Sequence, residues 1–246
     1  MELEFLINED YLVAHTLYCM DKFSSEKNKK LIVDFQNYAW KVSKEMYNFV
    51  ARSSYPELWL DDKSKKQTAD LLDFFRKLKA NPNYKQIYKQ TSEYLDKCKK
   101  QWDKNFEKTY KTMSDVTGIS FDKKFIVYIT HPTLKNGCYL GDNKIAWGHT
   151  EEWPNYITVY LWHETLHSYF STSKLDHAII SFLSDEFLRS KLTGDKYPPF
   201  VTHKELHPLM KKILPEWKNY LSSSNKNIFE FRDSLEKHNF YGTRSL

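Results

Sequence analysis

Pro154-Asn155-Tyr156-Ile157-Thr158-Val159-Tyr160-Leu161-Trp162-His163-Glu164-Thr165-Leu166-His167-Ser168-Tyr169-Phe170 is the stretch on which the reading of this chain turns. Its apolar spacing predicts a helix over Tyr156–Phe170, with Pro154 suited to the first turn. On that helix His163 and His167 stand four apart, so their imidazoles share one face about a turn from each other. Two imidazoles so placed can converge on one tetrahedral metal ion. Glu164, beside the first histidine, can reach a water held there without being a ligand itself.

The flanks give the motif a context. Upstream, Phe125-Ile126-Val127-Tyr128-Ile129-Thr130 is β-branched and aromatic and predicts a strand. Cys138–Leu140 and Lys144–Trp147 predict two short strands, joined at Gly141-Asp142-Asn143 as a hairpin. Downstream, Ser173 can cap a helix over Lys174–Leu192, with Asp176 three residues on and Gly194 just past the end. A catalytic zinc usually takes three protein ligands and a water, so a third ligand is required from outside the motif. Helical phase puts Glu186 on a stripe with Ile179 and Leu183, and turns Asp185 toward Arg189 and solvent. A carboxylate on a buried stripe needs a partner, and a metal ion is one. The expected metal set is therefore His163, His167 and Glu186, holding Zn2+.

Further out, residues 8–112 read as almost entirely helical. The segments are Lys30–Ala51, Lys66–Lys79 and Tyr84–Met113, with breaks around Ser53–Asp62 and Ala80-Asn81-Pro82-Asn83. Composition shifts near Gly118. The expectation is an α+β, mostly helical protein: an N-terminal helical segment over 1–117, then a catalytic core over 118–246 with a small antiparallel sheet and C-terminal helices. Aromatic residues make up 16% of the 246, which excludes a disordered chain. The net charge of +5 comes from lysines scattered among acids, which does not suggest a nucleic-acid partner. Cys19, Cys98 and Cys138 form no CxxC pair and no disulfide framework. No apolar run reaches membrane-span length, and residues 1–10 lack the pattern of a signal peptide. The chain is expected to be cytoplasmic; its oligomeric state is not legible.

His163-Glu164-Thr165-Leu166-His167, followed by a turn and a helix with an inward glutamate, resembles the gluzincin branch of the zincin metallopeptidases. The resemblance covers Phe125–Leu192. It implies a zincin-like core, a peptide or protein substrate, and Glu164 as general base. It also implies an edge strand at Lys144–Gly148 that binds extended substrate through its backbone, and a downstream donor to the oxyanion, for which Tyr241, His207 and His203 are the candidates. Two features depart from the family. Ser190 stands where an acid often orients a ligand histidine, which leaves Asp185 or a backbone carbonyl for that role. The glycine-rich exopeptidase motif is missing. The competing function class is a non-catalytic zincin-like protein that binds a peptide or partner in the same groove; an intact Glu164 favours the enzyme.

Overall fold

The computed structural model describes residues 1–19, 22–52, 69–194 and 203–237. The described chain is mostly helical with one four-stranded sheet, as an α+β protein. It forms two compact units, each drawn from separated stretches. The first holds residues 1–2, 100–124 and 151–246; the second holds 3–99 and 125–150. The boundary expected at 117/118 falls inside the first of these.

The second unit contains the sheet, in the order β1 (Glu2–Leu6), β2 (Lys124–Ile129), β4 (Lys144–Gly148), β3 (Asn136–Gly141). The expected hairpin is present: β3 pairs antiparallel with β4, and Asp142 and Asn143 turn between them with positive φ. β2 pairs parallel with β4, however, so the sheet is mixed and not antiparallel. β4 is therefore an inner strand, and β3 lies at that edge of the sheet. The expected edge strand at Lys144–Gly148 is corrected accordingly: its backbone groups are already committed on both sides. β1 has no counterpart in the sequence expectation.

The helices of this unit are α1 (Glu9–Tyr18), α2 (Lys29–Val42), α3 (Lys44–Ala51), α4 (Ala69–Ala80) and the first part of α5 (Pro82–Thr117). The single helix expected over Lys30–Ala51 breaks at Ser43, whose extended backbone lets its hydroxyl accept from the Met46 N–H and cap α3. Leu12, Leu17, Ile32, Phe35, Ala39, Phe74 and Leu78 interlock in a dry core. The connection expected around Ser53–Asp62 lies outside the described residues.

In the first unit, the rest of α5 ends at Gly118, where φ is +72° and a Cβ would meet the Lys226 carbonyl oxygen at 2.2 Å. Only glycine fits there. α6 (Tyr156–Leu166), α7 (Lys174–Ser181), a π-helical turn (Phe182–Leu188) and α8 (Arg189–Thr193) follow. A 3-10 turn (Lys204–Leu206), α9 (His207–Ser222) and α10 (Ile228–Lys237) complete it. No helix among the described residues is long and apolar enough to cross a membrane.

Candidate metal centre

α6 begins at Tyr156 behind Asn155, which has φ +64°, so Pro154 precedes the helix and does not form its first turn. Ile157, Val159, Leu161, Trp162 and Leu166 are fully buried, which fixes the helix against its surroundings. The second part of α5 holds it with polar contacts as well. The Trp162 indole N–H donates to Thr109 Oγ1 at 2.9 Å, and Asn105 Nδ2 donates to Thr158 Oγ1 at 3.0 Å. Past Leu166 the chain tightens, with Ser168 N–H on the Thr165 carbonyl and Tyr169 N–H on the Leu166 carbonyl. His167 keeps a right-handed helical backbone, so the i, i+4 relation to His163 survives the end of the helix.

α7 starts where expected. Ser173 Oγ accepts from Asp176 N–H at 3.1 Å. Asp176 does not complete a capping box; its Oδ2 accepts from Ser171 N–H at 2.8 Å and ties down the preceding turn. One residue beyond Asp176, still in the first turn, is His177.

His163, His167 and His177 converge. Each offers one ligand atom, and the three atoms lie within 4.8 Å of one another. The ring centroids are 5.1, 5.3 and 5.0 Å apart. His163 Nε2 and His177 Nε2 face each other at 3.3 Å. A tetrahedral ion about 2.0–2.1 Å from each nitrogen sets adjacent nitrogens roughly 3.3 Å apart and ring centroids roughly 5.2 Å apart. The cluster thus has the spacing of three imidazoles around one ion. His177, which the sequence reading passed over, completes the group; Glu186 lies outside it. The signal for His177 was its place, in the first turn of a capped helix that follows the motif after one short turn.

Comparison with protein-family models, with curated proteins and with solved structures gives no match. The chemistry of the centre rests on its own geometry.

The π-helical turn explains the positions of Asp185 and Glu186. Residues 178–185 are buried without interruption, so this segment has no wet side for an amphipathic phase to mark. The wider winding of Phe182–Leu188 also breaks the 3.6-residue register on which the phase argument depended. The assignment of Asp185 to solvent is overturned. Asp185 is fully buried, and its Oδ2 accepts from His163 Nδ1–H at 3.1 Å, with the Ser184 hydroxyl 3.0 Å from Oδ1. Glu186 is half-buried, and its Oε2 lies 3.5 Å from the guanidinium of Arg189. The carboxylate on Nδ1 fixes the tautomer and aims the Nε2 lone pair of His163 at the cluster.

Burial alone would lower the pKa of His163, but the Asp185 carboxylate, with Glu164 adding to it, holds it above the ordinary value. Burial, then the neighbouring histidines, push His167 down to about 3 and His177 down to about 4. Those two rings are neutral at physiological pH, the form that ligates metal. Glu164 is buried and adjoins His163 in the chain. Of the expected oxyanion donors, His203 packs its ring 4.4 Å from His177 and 5.9 Å from His163. His207 is the first residue of α9, and Tyr241 lies outside the described residues. Tyr160, one turn before His163 on α6, packs its ring in a tilted arrangement 6.1 Å from it and 4.5 Å from Tyr156. It forms an aromatic side to the centre that the sequence reading did not single out.

Proposed function

We propose that this protein is a metal-dependent hydrolase that uses Zn2+, and that it cleaves peptide bonds. The observation that carries this is the convergence of His163, His167 and His177 within 4.8 Å, with Glu164 directly beside the first of them. Three imidazoles with a fourth position left for water form a donor set of catalytic zinc. The residues fit the group: the His163 and His177 nitrogens stand 3.3 Å apart, the three rings are spaced as around one ion, His167 and His177 are neutral, and Asp185 orients His163. Bound at these nitrogens, the ion would supply Lewis acidity and a water of lowered pKa.

The chain's own residues divide the remaining work. Asp185 holds His163 in one tautomer and one orientation. Glu164 takes a proton from the attacking water and returns it to the leaving amine. Of the residues expected as donors, His203 has its ring at the cluster. The step from hydrolase to peptidase, and the zincin-like core, rest on the resemblance of His163–His167 to the gluzincin motif. The substrate is accordingly a peptide or an unfolded protein segment.

Metal analysis of protein purified without chelators is expected to give one zinc per chain. Glu164→Gln should keep that zinc and lose at least ~100-fold in peptide hydrolysis, the lower end of what a general base contributes. Protein without stoichiometric metal would sink the proposal. A Glu164→Gln variant as active as the parent would sink the mechanism.

A further inference from the structure

His203 differs from the other three histidines in several ways at once. Its side chain is 41% exposed, against 3% for His163. Its backbone, at φ +23° and ψ 78°, lies outside the regions that L-residues ordinarily occupy. Its Nδ1 lies 3.3 Å from Glu205 Oε1, the same carboxylate-on-Nδ1 arrangement that Asp185 makes with His163. With Nδ1–H donating to Glu205, the free lone pair of His203 is on Nε2, the ligating form. Its ring centroid is 4.4 Å from His177 and 5.9 Å from His163. A fourth imidazole on a tetrahedral ion would stand roughly 5.2 Å from each of the other three. His203 straddles that distance for two of the three, His163 and His177, and its exposed ring has to swing to reach the fourth corner.

We propose that His203 is an exchangeable fourth protein ligand, which closes the centre as a four-histidine site at rest and gives its place to water or substrate when the site works. The proposal rests on the metal reading above and adds to it a resting state. The exchange breaks one bond from Nε2 and forms one bond from an incoming oxygen, with no change of oxidation state. The 4.8 Å group comprises the other three histidines alone among the described residues, so ligation requires the His203 ring to move in. Strained backbone of this kind concentrates at ligand clamps and switch regions, where small dihedral changes move a side chain far.

The test uses the full chain, stripped of metal and reloaded with Co2+ alone, whose visible absorption reports coordination number. His203→Ala should shift and weaken the visible spectrum, as an oxygen from water replaces one of four imidazole nitrogens and the site becomes free to take up further water. Its Co2+ affinity, read by competition with a chelator, should fall at least ~tenfold, the lower end of what even an outer-shell partner is worth. His163→Ala should bind no Co2+. If His203→Ala keeps the parent spectrum and affinity while His163→Ala loses the metal, the fourth-ligand proposal is overturned and the hydrolase reading stands. If the parent chain takes up no Co2+, both fall.

Discussion

Both units bury histidines, and they do so to opposite ends. In the second unit His131 is fully enclosed: its Nε2–H donates to Gln90 Oε1 at 2.8 Å, and its Nδ1 accepts from Thr133 N–H at 3.2 Å. His15 packs its Nε2 3.3 Å from the Cys19 sulfur, and burial holds that thiol protonated, up to about 12. In the first unit His163 turns its Nε2 toward another imidazole. The pKa values do not separate the two groups: burial lowers His15 to about 3 and His131 to about 4, as far as His167 and His177. A depressed histidine is therefore no mark of a site by itself. What separates them is where the nitrogens point, toward neighbours in their own core or toward one another.

The largest effect expected from this contrast is all-or-none. His177→Ala removes one of three converging ligand atoms and should abolish stoichiometric metal binding, whereas His131→Gln should leave metal content at the parent level. Metal analysis of the two variants side by side checks it. Retention of full metal by His177→Ala would place the third ligand elsewhere and return Glu186 to consideration.

The pair of histidines was legible in the sequence because a five-residue spacing on one helix needs no tertiary knowledge. So were the hairpin at Gly141–Asn143 and the cap at Ser173, which depend on φ > 0 and on one hydroxyl. The positions of Asp185 and Glu186 were not, because a helical phase is informative only where one face is wet and the winding is regular. Residues 178–185 meet neither condition. The parallel pairing of β2 with β4 was equally hidden. It follows from β4 inserting between β2 and β3, which no local pattern in Lys144–Gly148 announces.

The second effect lies in pH. The folded pKa of His15 and of His131 is below the unfolded value, so the unfolded chain binds the extra protons. Their contribution to stability is fully present above pH ~6.5 and is lost as pH falls toward their folded values of about 3 and about 4. His131→Gln removes one of these titrations while keeping a neutral hydrogen-bonding side chain. Denaturant unfolding at pH 7 and pH 4 should show the stability difference between variant and parent moving in the variant's favour by up to ~3 kcal/mol. A difference that stays constant over this range would mean that His131 is not held neutral by the fold, and the likeness between the two groups of histidines would fail.

The smallest effect concerns the carboxylate. His15 and His131 are depressed by burial that no acid opposes, while His163 is buried as deeply and is nonetheless raised, because Asp185 stands 3.1 Å from its Nδ1. That charge distinguishes a histidine that presents a basic lone pair from one that merely fills a core. Asp185→Asn keeps an oxygen able to accept from Nδ1–H and removes the charge, so orientation is largely retained and basicity falls. Metal affinity should weaken about 10- to 100-fold, with thermal stability measured in chelator as the control for packing. Ser184→Ala, which leaves the charge in place, should change affinity less than Asp185→Asn does. If the two variants weaken the metal equally, Asp185 acts through shape and hydrogen bonding alone, and the contrast between the units reduces to the direction in which their nitrogens point.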